Sequence, residues 1–504
     1  MRTLARHAIL VTLISLLFLS CASLPQSGEG APPLPEAPVI TLEEPLELGD
    51  ILYVSALGTS LSTVSAEGRE EQILLRSEEF NGFTRGTMTA HTWSADGKAF
   101  AVAVHLRTPE KRRLEALYVG RSGEEEIRPL FTSPEVAPFY LYWSPGGGEL
   151  SFIGGDGSGA LYLYVVDTAT GQAQVAHRGN SSLYWSWAED GGSIITHTGG
   201  GLEEGQGTLR VHRRAGERFD SSVLTMRERS SGRFQVPDVS SGGKRIAVVL
   251  RNQYGSNTLA VLSPEGTVLR RVTDFNGAAS LSWSPDGRYL AYVEGARRFG
   301  GGVVGTLRVV DTERVDQVVE GDDHPGWGPA TLRREAPGAE TVVRLASLAT
   351  PVQVEPNDGP TRVLSYVWSP DSSQILYYEP RYISTGGNMD ILMEASLLNA
   401  RSGETETLGS FRPAPEFLRR ILPFYDQYAR SSTVWSPSGR RIVFNGVNEE
   451  ERQAVFVIDL DDRESGAREI GVPRSAREGW RRPALGATGR TTSIGDGDVP
   501  RPTV

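Results

Sequence analysis

Five stretches of this chain share one short pattern: an aromatic, a turn initiator and a turn residue set between two apolar runs. They read "TWSADGKAFAVAV", "YWSPGGGELSFIG", "SLSWSPDGRYLAYVEG", "VWSPDSSQILYYE" and "VWSPSGRRIVFNG". Aligned on tryptophan, the copies fall at Trp93, Trp143, Trp185, Trp283, Trp368 and Trp435, with Val239 at that place in the degenerate "PDVSSGGKRIAVVLR". Most intervals are about 40–50 residues, the length of four short strands and their turns. Within a unit, "WSPDGR" leads to "YLAYVEG", then to "GTLRVVDTE". Pro ends the first strand because it cannot donate to a ladder, and Gly takes the turn at positive φ. Helical periodicity is almost absent.

This organisation predicts an all-β chain, a β-propeller of about eight four-stranded blades, with seven and nine as alternatives. Residues 51–75 offer three strands with no pentad before them, and "RRPALGATG" near the C-terminus sits where another innermost strand would begin. Pairing these ends would close the ring and remove two open sheet edges. Two intervals are long. In the first, Trp327 opens a ninth blade or belongs to a hairpin insertion. The second carries "GSFRPAPEFLRRILPFYDQYARSSTVWSP", read as an elaborated connection between blades.

The pentads are similar to the TolB-like, or WD-like, propeller repeats of bacterial envelope proteins, over roughly residues 50–485. The resemblance implies the fold and, by analogy, a ring scaffold for protein contacts. A propeller fold hosts many unrelated tasks, so function needs its own residues.

The one cysteine, Cys21, excludes an intramolecular disulfide and a thiolate metal cluster. It follows Met1, Arg2, Arg6 and the apolar run "AILVTLISLLFLS", which is shorter than the roughly 20 residues needed to span a bilayer. "FLSC" resembles the lipobox of bacterial lipoproteins, with Phe18 where Leu is usual. That resemblance implies cleavage after residue 20 and lipidation of Cys21; an ordinary secretory signal is the alternative. The expected organisation is then a signal peptide over 1–20, a lipidated Cys and disordered tether over 21–48, the propeller over 49–485 and a disordered tail over 486–504. The tether expectation rests on the Pro- and Glu-rich composition of residues 22–48.

A net charge of −11 argues against nucleic acid as a partner. No G-x-S-x-G elbow occurs, which argues against a prolyl-oligopeptidase-type hydrolase. The histidines (His7, His91, His105, His177, His197, His212 and His324) show no metal-ligand spacing. No catalytic residue, metal or cofactor is therefore expected. The repeated Trp and Asp read as structural: the ring packs between neighbouring sheets and the carboxylate organises its turn.

One segment breaks the rhythm. In "LPFYDQYARS", Phe424, Tyr425 and Tyr428 surround Asp426 and Gln427. Rings beside a carboxylate and an amide suit recognition of a peptide or sugar. The other reading is a plug folded back on the fold, its aromatics buried. The overall expectation is an exported, lipid-anchored, non-enzymatic binding module, with envelope proteins or peptides as partners and the membrane reached through its lipid. A lyase or glycoside-active propeller using the central channel is the alternative.

Overall fold

The computed structural model describes residues 33–471 and 482–484, apart from 313–351, 354–361 and shorter breaks. Each pentad marks the end of an innermost strand. After Ala278–Trp283, for example, the chain turns at Ser284–Gly287 and returns as the second strand, Tyr289–Arg297. The turn is a small hydrogen-bonded unit. The Ser284 hydroxyl donates to Asp286 at 2.5 Å and accepts the Tyr289 N–H at 2.9 Å, and Ser94 with Asp96 and Ser369 with Asp371 repeat it. Gly287 has φ of 70° and Ser372 occupies the same place with φ of 62°, the region that favours glycine. The Asp is thus a turn residue, as expected.

The strands form eight antiparallel sheets, the eight blades of a propeller. Blade 1 is composite: Arg482–Ala484 pairs with Ile51–Val54, Leu52 opposite Ala484, so the two ends of the chain close the ring as expected. Blades 2, 3 and 4 begin on Arg85–Trp93, Phe139–Trp143 and Leu183–Trp187. Blade 5 has its innermost position in two pieces, Arg229–Ser230 and Asp238–Val239. Blades 6 and 7 begin on Ala278–Trp283 and Ser365–Trp368, and blade 8 is built on Arg441–Val447.

Four expectations change in detail. In blade 4 the residue equivalent to the pentad tryptophan is Trp187, paired with Ile194 as Trp283 is with Leu290; Trp185 lies two residues earlier on the same face. The period-two geometry of a strand makes the two look alike in sequence. Val352–Gln353 pairs with Val303–Asp311, so the chain returns to blade 6 after the long interval, and no ninth sheet occurs among the described residues. Trp327 itself lies outside the described residues. The third change is in the tether: Ile40–Thr41 pairs with the outer strand Glu126–Ser133 of blade 2, and Leu46 is 1% exposed. Residues 33–48 are therefore a strap on a sheet edge, because Ile40, Leu42 and Leu46 find apolar cover there that composition alone does not reveal. The fourth change concerns the segment around 422–431. Cys21 and residues 486–504 lie outside the described residues.

The core sits between blades. Second and third strands such as Ala99–Arg107 and Asn257–Leu262 are buried along almost their whole length, on both faces. Each fully buried Val, Leu or Phe contributes about 1.5–3 kcal/mol. Outer strands such as Arg218–Val223 are largely exposed. Three pentad tryptophans bond the blade before them. Trp283 Nε1 donates to Asp238 O (3.3 Å), Trp368 Nε1 to Ser282 O (3.2 Å) and Trp435 Nε1 to Val367 O (3.4 Å). In each case the acceptor is the residue just before the pentad position of the preceding blade.

Candidate functional site

Blade 8 shows how the rhythm breaks. Pro413 bridges to Gly446 and Trp435 to Ile442, so the second strand advances four residues while the inner chain takes twenty-two. The segment is thus an excursion inside an innermost strand, not a connection between blades. That is the fourth correction. Short turns carry it: Phe417–Ile421, then Leu422–Phe424, then the single helical turn Tyr425–Tyr428.

The excursion lies along the ring axis and touches the inner strands of six blades. In blade 2 the Thr92 hydroxyl donates to Ser431 O at 2.9 Å. Tyr140 of blade 3 stands with its ring 6.0 Å from Phe424 and 4.7 Å from Tyr428. It does so at φ of 53°, a strained setting for a tyrosine. Gln427 is 1% exposed and acts as a peptide group would: it accepts the Trp185 N–H of blade 4 (3.1 Å) and donates to Trp185 O (3.3 Å). Asp426 accepts the Ser280 hydroxyl of blade 6 at 2.6 Å. Tyr425 lines one cleft with Tyr366 of blade 7.

Arg430 completes the set. Its guanidinium meets Asp238 of blade 5 at 2.8 Å and donates to Leu281 O of blade 6 at 2.8 Å. Asp238 also accepts the Trp283 N–H at 2.6 Å. Burial pushes the Asp238 carboxyl up, opposed by the Arg430 charge and the Trp283 N–H. Burial also works against the Arg430 charge, yet Asp238 holds it above its ordinary value. Burial pushes Tyr142 up to about 12 and raises Tyr366 and Tyr425 well above the usual phenol value. All three phenols are therefore neutral at physiological pH.

Of the residues singled out by sequence, Phe424, Tyr425, Asp426, Gln427 and Tyr428 are brought together, but Gln427 faces the protein's own backbone. Both polar groups of that side chain are engaged by the Trp185 backbone. Sequence reasoning missed Asp238, Arg430, Ser280 and Tyr366. One signal existed: Asp238 places a carboxylate at the position occupied in other copies by Thr92, Tyr142, Ser282 or Val367.

Beside the plug a cleft of about 190 Å³ remains, running from Ser280 and Asp426 toward Pro285 in the pentad turn. Among the described residues no three His, Cys, Asp or Glu side chains stand close enough to share a metal ion. No helix among them is long and apolar enough to cross a membrane.

Ring closure, eight antiparallel sheets and the pentad turns define an eight-bladed β-propeller. No family model matches the chain, and no curated protein matches it. Solved structures similar to it include an oligogalacturonate lyase in complex with manganese, at 13% identity and a TM-score of 0.45, over 84% of this chain and 98% of that one. TolB from Acinetobacter baumannii is 13% identical with a TM-score of 0.33, over 80% of each chain. A periplasmic gluconolactonase of Pseudomonas aeruginosa is 13% identical with a TM-score of 0.40, over 80% of this chain and 97% of that one. The lyase and lactonase activities belong to those proteins.

Proposed function

We propose that this propeller is an exported, lipid-anchored binding module, presenting its faces to a protein or peptide of the cell envelope. The observation that carries the reading is the plug. Residues 424–431 engage the inner strands of several blades, so the middle of the ring holds the fold together where a channel enzyme would hold substrate. The leader ending in Cys21 supports export and anchoring.

Two measurements test this. Replacing Cys21→Ala is expected to move the protein from the membrane fraction to the soluble one; an unchanged membrane fraction refutes lipidation. Immobilised protein is expected to retain a stoichiometric partner from envelope extract. Turnover of an oligouronate or a sugar lactone by the purified protein, abolished by Asp426→Asn with folding intact, would instead establish the channel-enzyme alternative.

A further inference from the structure

Asn is followed by Gly three times in this chain, at Asn81, Asn276 and Asn445. The fold holds two of these pairs very differently; Asn276 lies outside the described residues. Asn445 and Gly446 sit inside the strand Arg441–Val447, opposite Val455 and Ala454, with Gly446 buried and bridged to Pro413. Asn81 and Gly82 instead take the two central positions of a β-turn between blades 1 and 2, closed by the Phe83 N–H on Phe80 O at 3.0 Å. Both are exposed. Neither the Asn81 side-chain amide nor the Gly82 N–H has a hydrogen-bond partner among the described residues. Gly82 holds φ of 86° and carries no Cβ to shield its nitrogen.

We propose that Asn81 is a site of spontaneous covalent modification, deamidation through a cyclic imide. The Gly82 nitrogen gives its proton to hydroxide and attacks Asn81 Cγ. The N–Cγ bond forms, the Cγ–Nδ2 bond breaks, and ammonia leaves with a proton taken from water. A water molecule then opens the imide at either carbonyl. One opening leaves an aspartate at position 81; the other leaves an isoaspartate, whose backbone runs through the former side chain. In sum one water enters and one ammonia departs, with no oxidation or reduction. The reaction needs an unbonded nitrogen and a chain free to bend, which the exposed turn supplies. The strand around Asn445 must first open locally. The change falls where the strap is seated. Pro35 lies beside Gly82, and Phe80, at the start of the turn, is 1% exposed in the core that also holds Ile40 and Leu46. Either product adds a negative charge to a turn that already carries Glu78 and Glu79.

The proposal goes beyond the partner-binding reading and fails independently of it, since the chemistry needs only the protein and water. The experiment holds the full-length protein at mildly alkaline pH and follows its tryptic peptides by mass over time. The peptide Ser77–Arg85, in which Asn81 is the one asparagine, is expected to become about 1 Da heavier. It should split into two products, the isoaspartyl one recognised by enzymatic methylation of its free α-carboxylate. The rate at Asn81 is expected to exceed that at Asn445 by about tenfold or more, because only the latter waits on local opening. It should rise with pH, since the attacking nitrogen must lose its proton. In concentrated guanidinium chloride the two rates are expected to converge, as both pairs follow a phenylalanine and the fold is what separates them. No modification at Asn81 in the folded protein, equal rates at the two sites there, or a difference that persists undiminished in denaturant would each overturn the proposal. Asn81→Gln, whose longer side chain closes an imide far more slowly, is expected to abolish the mass change in Ser77–Arg85. A change that persists in that variant would place it on another residue and overturn the assignment.

Discussion

Arg430 and Asp238 meet at 2.8 Å inside the ring, the first on the excursion from blade 8 and the second on the innermost position of blade 5. Their side chains are 11% and 6% exposed. A buried pair gains little over well-packed apolar residues, but removing one partner strands the other's charge. Arg430→Ala is therefore expected to lower the unfolding free energy by about 3–5 kcal/mol, read from urea unfolding. A loss below about 1 kcal/mol, within the range of an exposed pair, would mean that the plug is not anchored there.

Gln427 satisfies both backbone groups of Trp185 at a site closed to water. In Gln427→Ala those groups lose their partners, at a cost of about 1–3 kcal/mol for each buried group left unsatisfied. Hydrogen exchange should show faster exchange at the Trp185 amide. Unchanged protection would show that another group takes over the bond.

Blades 3 and 4 meet at a pair of histidines. The rings of His177 and His212 are 5.1 Å apart, and Thr196 bonds His212 at 2.9 Å. Burial lowers His177 to about 4 and His212 to about 3; Arg210 adds to both shifts, and His177 adds to that of His212. The unfolded chain binds these protons near pH 6.5, before the folded one does. The contribution is thus fully present above about pH 6.5 and is lost as pH falls toward the folded values, on the order of a few kcal/mol in all. Urea midpoints at pH 7 and pH 5 should differ, and His212→Asn should flatten the difference. An equally steep profile in the variant would assign the effect to other groups.

Lys111 is exposed and holds φ of 64° in the hairpin between the second and third strands of blade 2. The left-handed region costs a side chain with a Cβ about 1 kcal/mol. Lys111→Gly is expected to raise stability by about 0.5–1 kcal/mol, visible as a higher urea midpoint. A lower midpoint would show that the greater backbone entropy of the unfolded glycine-containing chain dominates.

Much of the fold was legible in the sequence because its determinants are local and repeated. A Trp-Ser-Pro-Asp-Gly string specifies where a strand stops, how the chain turns and where the next strand begins. Trp283, Trp368 and Trp435 each recur in one register. Where two aromatics stood two residues apart, as at Trp185 and Trp187, the alternation that makes a strand recognisable also made its register ambiguous. The strap at residues 33–48 was illegible for a related reason. Its composition is that of a linker, and only the waiting edge of blade 2 gives Ile40 and Leu46 a place to be buried.

The sequence by itself determined the blade, its turn and the closure of the ring by the two chain ends, since each follows from strand periodicity and turn chemistry over a few residues. It also marked 422–431 as different. What those residues touch was decided by tertiary structure. Asp238, Trp185, Ser280 and Arg430 lie far apart along the chain, and only the radial packing of blades brings their backbone and side-chain groups around one axis. Hydrogen bonds and ion pairs depend on distances of a few ångströms, and no local pattern encodes distances between separate blades.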